Sequence, residues 1–179
     1  NSGEQIISSD IDRELTNIDL LPMLYETIRK NQILSIDYKP YDKEMETLEF
    51  HPHILKEHDG RWFLFGHVND REPEFGYNLA LDRIVGKPLI MQKADNYVSA
   101  PKGFYNEFFN NIVGVSHLHD EKPTTIIVRA ITYKIFKLIE TKKIHHSQEM
   151  IKPFDKYEDG EYGEYKLFVE VNNEFIGRI

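Results

Sequence analysis

Asp59-Gly60-Arg61-Trp62-Phe63-Leu64-Phe65-Gly66, answered downstream by Leu79-Ala80-Leu81-Asp82-Arg83-Ile84, decides how this 179-residue chain folds. Asp-Gly is a turn pair of the two-residue β-hairpin, because both residues tolerate positive φ. The run after it is apolar on both faces, which predicts a strand, Arg61 to Val68, lying centrally in its sheet. The downstream segment is apolar until Asp82-Arg83 interrupts it. A tight turn into a bulky strand, then an apolar strand carrying one charged pair, predicts a small β-barrel.

Residues 1–18 are polar, with Asp10, Asp12 and Glu14 close together, and read as a linker or arm. Asp19 is placed to cap a helix, with Pro22 in its first turn. Leu21, Leu24, Tyr25 and Ile28 recur at helical spacing and predict the buried face, while Glu26, Arg29 and Lys30 face water. Asn31 is a helix stop. The period then becomes two: Leu34, Ile36 and Tyr38 alternate with Ser35, Asp37 and Lys39, which predicts a half-buried strand. Pro40-Tyr41-Asp42-Lys43 turns into a second strand, about Met45 to Lys56, where Pro52 marks an edge or a bulge. After the charged loop Asn69–Glu74, a fourth strand is expected over Tyr77 to Ile84. Gly86 turns the chain into a fifth, Leu89 to Gln92. Closely linked strands favour a closed or nearly closed barrel, since closure removes exposed edges.

Residues 94–122 form a connecting segment, in which Asn106–Asn111 suits a short helix or a covering loop. Residues 123–179 read as a second unit. Thr124–Ile131 is strand-like, and Tyr133–Thr141 is helical with Tyr133, Ile135, Phe136 and Ile139 as candidates for its buried side. Met150–Phe154 and Tyr165–Val171 make a hairpin. Strand, helix and hairpin suggest a split β-α-β arrangement. Asn172-Asn173-Glu174-Phe175-Ile176 resembles a helix start. So short a helix needs firm docking or a chain continuing past Ile179, and the second is the expectation, as is a cut at the N-terminus. The fold class is mainly β with α+β elements.

Hydrophobic residues at 40% and aromatics at 12% describe a folded globular chain. Absence of cysteine excludes disulfides and thiolate metal sites, and favours a reducing, cytoplasmic setting. No apolar run approaches the roughly 18 residues of a membrane span, and no signal peptide opens the chain. The net charge of −8 works against a broad electrostatic grip on nucleic acid, though a local basic pocket is compatible with it.

Catalytic motifs are missing. There is no Gly-x-Ser-x-Gly elbow and no phosphate loop. The carboxylate pairs Asp10/Asp12 and Glu44/Glu46 lie in polar segments and read as solvated faces. His51/His53 and His117/His119 are spaced two apart, and His145/His146 are adjacent; such pairs could serve a metal-dependent enzyme, but histidines on surfaces and strand edges explain them more simply. No catalytic residue, cofactor or metal is expected. Asp82-Arg83 differs, because charge beside an apolar core must be paired or used. It could close the barrel as a salt bridge between neighbours. Alternatively Arg83 offers its planar fork to an anionic ligand, with Lys39, His51 and Arg61 adding positive charge and Tyr38, Trp62 and Tyr77 supplying rings that are core or stacking platform.

These residues resemble the WYL-domain proteins, a family of bacterial transcriptional regulators. The family's Trp-Tyr-Leu motif stands here as Trp62-Phe63-Leu64. It is flanked by Ile36-Asp37-Tyr38, Phe50-His51-Pro52 and Leu81-Asp82-Arg83-Ile84. The likeness covers roughly residues 20–92 and continues through Asn111-Ile112-Val113-Gly114-Val115 and Ile144-His145-His146-Ser147-Gln148. It implies an Sm-like, SH3-type five-stranded barrel preceded by a helix, over residues 19–93. It also implies a non-enzymatic sensor of nucleotide-like or single-stranded nucleic acid effectors, with DNA read by a separate N-terminal helix-turn-helix absent from residues 1–32. Carried over as ligand positions are Arg83, Trp62 and His51. Tyr77 and Asn78 are added from strand position, Lys39 for its positive charge and Tyr38 for its ring. Two departures stand out: Phe63 lacks the motif hydroxyl, and Ala80 stands where many members carry a basic residue. The alternative is an interaction module that forms a homodimer through apolar surface on Phe104, Phe108 and Phe109.

Overall fold

A computed structural model of the chain describes residues 16–91, 96–117 and 122–179. The acidic arm of Asp10, Asp12 and Glu14, the end of the predicted fifth strand at Gln92, and His119 lie outside the described residues. The chain divides into two compact units, with the break between Ala100 and Pro101.

The first unit begins with a 3-10 turn, Ile18–Leu20, that runs into α1, Leu21–Arg29. Asp19 does not cap α1: the N-cap is Leu20, without a side-chain bond, because the preceding turn already supplies backbone hydrogen bonding through Leu20 N–H to Asn17 O. Asn31 ends the helix in the left-handed region, φ 51°. Leu24 and Thr27 form the buried face, whereas Tyr25 is 61% exposed. Thr27 can face the core because its hydroxyl donates to Met23 O at 2.8 Å.

β1 (Leu34–Tyr38), β2 (Glu46–His58), β3 (Arg61–Val68), β4 (Tyr77–Ala80) and β5 (Ile84–Ile90) make one antiparallel sheet in the order β4-β3-β2-β1-β5. β3 has the predicted bounds, and its turn has both Asp59 (φ 48°) and Gly60 (φ 74°) at positive φ. It is an interior strand, but β2 holds the centre. Pro52 is therefore not at an edge. It sits beside a register shift between Pro52 and Ile54, where the ladder needs no proline N–H.

The predicted fourth strand is too long. It ends at Ala80, and Leu81–Arg83 is a 3-10 turn joining β4 to β5. Asp82 and Arg83 thus lie on a connection rather than within a strand. Gly86 does not turn the chain either; it lies inside β5 at φ 67°, beside a register shift against β1. Among the described residues β4 and β5 are the two edges of the sheet and share no ladder, so the sheet does not close into a barrel there. The 3-10 turn carries the chain around the end of β1 in place of a further strand pairing. The core collects Leu24, Leu34, Ile36, Tyr38, Leu48, Phe50, Leu64, Leu79 and Leu81, with Trp62 and Tyr77 packed against it.

The second unit contains α2 (Phe104–Asn111), β6 (Thr124–Ala130), α3 (Tyr133–Thr141), β7 (Glu149–Tyr157), β8 (Gly160–Val169) and α4 (Asn173–Ile176). β8 lies between β6 and β7, antiparallel to both, which is the predicted split β-α-β arrangement. α3 buries Phe136, whose ring stacks on Tyr165 at 5.0 Å and covers Gly163. Tyr133 and Ile135, predicted to face inward, are exposed, because the single ring of Phe136 takes the space above Gly163. α4 docks firmly: Asn172 Oδ1 accepts from Phe175 N–H at 2.8 Å, and Phe175 is buried. No helix among the described residues is long and apolar enough to cross a membrane.

Candidate functional site

The 3-10 turn at Leu81–Arg83 is held from several directions. Asn17 Nδ2 donates to Leu81 O (2.7 Å) and Ile84 O (2.9 Å). Lys39 N–H donates to Arg83 O at 3.1 Å, and Ala80 N–H donates to the Tyr38 hydroxyl at 3.3 Å. These bonds fix the backbone under Arg83, so the side chain projects from a preorganised base.

Asp82 and Arg83 do not pair with each other. Arg61, at the start of β3, donates through Nη2 to both carboxylate oxygens of Asp82, at 2.9 and 2.8 Å. That contact raises the guanidinium pKa of Arg61 and consumes the Asp82 charge. Among the described residues no carboxylate forms an ion pair with Arg83. Its Cζ lies 3.4 Å from the centroid of the Tyr41 ring, and its buried Nε has no hydrogen-bond partner. Stacking on an aromatic face leaves the edges of a guanidinium available for hydrogen bonds. Contact with Arg83, followed by the charge of Arg61, pulls the Tyr41 hydroxyl pKa down. Burial pushes that of Tyr38 up, with the Ala80 bond and Arg83 acting in the opposite direction. The result is a cationic, aromatic face built by Arg83 and the exposed Tyr41 over the buried Tyr38, with Arg61 neutralised beside it.

Of the predicted positions, the structure brings together Arg83, Tyr38 and the backbone of Lys39. Trp62 is packed against the core instead, as the register of β3 dictates. Tyr77 also packs against the core, and its hydroxyl meets Arg71, which is itself paired with Glu46. Asn78, one residue on in the same strand, leaves by the opposite face. His51 is 1% exposed, and its Nδ1 accepts from Val98 N–H at 3.0 Å, so it is not open to a ligand. Two contributors were missed. Asn17 lies in what reads as a linker, and Tyr41 lies in a turn 42 residues from Arg83, with only its turn context as a local signal.

The remaining candidates resolve separately. Among the described residues no group of three or more His, Asp or Glu side chains is arranged to hold a metal ion. His117 Nδ1 lies 2.6 Å from the buried carboxylate of Glu170. Phe104, Phe108 and Phe109 are half-buried and pack with Tyr105 into one ring cluster rather than standing open.

Residues 19–86 match the family profile of the WYL domain, so the resemblance seen in the sequence holds over those residues. No curated protein matches the chain by sequence. Among solved structures, proteasome accessory factor B/C (PafBC) of Arthrobacter aurescens is similar over 89% of this chain and 22% of that chain, at 12% identity and a TM-score of 0.39. The chain therefore spans less than a quarter of that structure's length.

Proposed function

We propose that this chain, with its WYL-domain match over residues 19–86, is the sensor and regulatory part of a transcriptional regulator, and that Arg83 and Tyr41 receive an anionic, ring-bearing effector. A nucleotide or a single-stranded nucleic acid fragment has both features: a phosphate for the guanidinium and a base for the tyrosine. The observation that carries this reading is Arg83 itself, stacked on Tyr41, lacking a carboxylate partner among the described residues, and mounted on a turn pinned by Asn17, Lys39 and Tyr38. DNA would be read by a helix-turn-helix outside these residues. The order β4-β3-β2-β1-β5, with a 3-10 turn between the edge strands, supports an Sm-like, SH3-type barrel left open at that turn. Neither a catalytic group nor a metal enters this role.

The test is fluorescence anisotropy with a short fluorescein-labelled oligothymidylate, comparing the parent with Arg83→Ala. The variant is expected to bind at least about tenfold more weakly, equivalent to ~1.4 kcal/mol, with an unchanged melting temperature. Undiminished affinity would place the effector elsewhere. A variant that fails to fold would make Arg83 structural.

A further inference from the structure

On the opposite sheet face from Trp62 and Leu64, three histidines gather beneath the segment that leads into the second unit. The His51 and His67 ring centroids are 5.2 Å apart, and His51 and His53 each lie about 6 Å from the ring of Tyr97, at 5.8 and 6.0 Å. His51 and His53 grip one residue from its two polar sides. Val98 N–H donates to His51 Nδ1 at 3.0 Å, and His53 Nε2 donates to Val98 O at 2.7 Å. The Tyr97 hydroxyl adds a bond to Pro52 O at 2.5 Å. We propose that this histidine clip is a proton-operated latch, which holds Tyr97-Val98 on the sheet while His51 is neutral and releases Val98 when His51 takes up a proton.

The chemistry is asymmetric among the three rings. A nitrogen that accepts a hydrogen bond carries no proton. His51 is therefore the Nε2-protonated tautomer, and a second proton must go to Nδ1, the atom that Val98 N–H addresses. Two N–H groups would then face each other. His53 already donates to Val98 O, so its bond survives protonation. His67 Nδ1 donates to Glu74 O at 2.6 Å, and its Nε2 faces Asn69 Oδ1 at 3.0 Å, while Asn69 Nδ2 donates to Glu49. Both of its nitrogens face oxygen atoms and neither touches Val98. Of the two bonds that hold Val98, the one to His51 is the one that protonation breaks.

Among the described residues, the titratable groups facing His51 come from each element around it. Glu49 on β2 lies 4.0 Å from Nε2, His53 lies on the same strand, His67 faces it from β3, and Tyr97 covers it. Burial, then the neighbouring His67, holds the His51 imidazole below its ordinary range, with Glu49 opposing. Burial likewise pushes the Tyr97 hydroxyl up to about 12, so that group stays neutral throughout. A histidine whose pKa is lowered in the closed state binds its proton more readily once the latch opens. The latch is therefore at full strength above the ordinary histidine value of about 6.5, weakens as pH falls below it, and is lost as pH falls through the lowered value of His51.

The test is amide hydrogen exchange followed by NMR, expressed as protection factors at neutral pH and at a pH below the His51 titration. Val98 is expected to lose at least tenfold in protection on acidification while Leu64, in the core of the same sheet, keeps its own. His51→Asn places a non-titrating acceptor near the Nδ1 position and is expected to keep Val98 protected at both pH values. His51→Phe removes the acceptor and is expected to leave Val98 unprotected at both, with Leu64 again reporting an intact sheet. The latch is refuted if Val98 and Leu64 lose protection together, or if His51→Asn shows the same acid loss as the parent.

Discussion

Gly66 is where two strands come closest, and replacing it with alanine puts the packing of the first unit to a quantitative test. Gly66 lies on β3 opposite Pro52, beside the bulge that sets His51 and His53 on their face. A Cβ built there would sit 2.2 Å from the His51 carbonyl oxygen and 2.5 Å from a ring carbon of Phe50. Neither neighbour can yield cheaply. The oxygen belongs to the backbone of the central strand, and Phe50 is fully buried in the core. Reaching ordinary contact distance requires a backbone movement of about 1 Å in a close-packed interior. Overpacking of this kind costs about 3 kcal/mol, which in a unit of this size lowers the melting temperature by roughly 12–24 °C. The natural control is Gly86→Ala. Gly86 has positive φ but no atom within 4 Å of its would-be Cβ, so it carries only the strain of about 1–2 kcal/mol for a left-handed alanine. Thermal unfolding followed by circular dichroism, with amide exchange to identify which unit melts, measures both. A Gly66→Ala protein that melts no lower than Gly86→Ala would refute the close approach of β2 and β3 and, with it, the placement of the histidine clip.

Asn17→Ala removes both side-chain bonds to Leu81 O and Ile84 O, while Leu81 O keeps its bond from Ile84 N–H; losing two hydrogen bonds should cost about 1–3 kcal/mol, measured by urea denaturation, and should weaken oligothymidylate binding through a loosened Arg83. Acid should destabilise both units. Burial lowers the His51, His53 and His145 pKa values, so the unfolded chain binds more protons, and stability measured by denaturation should be full above about pH 6.5 and fall as pH drops below it. A flat profile between neutral pH and pH 5 would contradict that.

What was legible in the sequence was what local chemistry dictates. The Asp59-Gly60 turn and β3 follow from positive φ and a bulky run, and the alternation of β1 shows directly in Leu34, Ile36 and Tyr38. Leu79-Ala80-Leu81-Asp82-Arg83-Ile84 misled because a 3-10 turn that buries Leu81 and Ile84 while exposing Asp82 preserves an apolar envelope resembling a strand. Tyr25 and Thr27 were exchanged because hydrophobicity alone ranks a ring above a threonine, although the threonine satisfies its hydroxyl within the helix. The strand parity of His51 and His53 was readable, since both address Val98. Their burial was not, because the cover arrives from a segment 45 residues downstream. The pairing of Arg83 with Tyr41, and of Asp82 with Arg61, joins distant stretches and leaves no periodic trace.

The Asp82 carboxylate, spent on Arg61, leaves Arg83 as the guanidinium stacked on Tyr41 inside a protein of net charge −8. Such a surface cannot hold a polyanion by Coulomb attraction at a distance. One phosphate contact displaces about one counterion's worth of salt, so a log–log plot of affinity against salt should have a slope near −0.7 for a single strand. On the function proposed above, discrimination would then fall to ring geometry and fit, the signature of short-range shape reading rather than of gathering nucleic acid from solution.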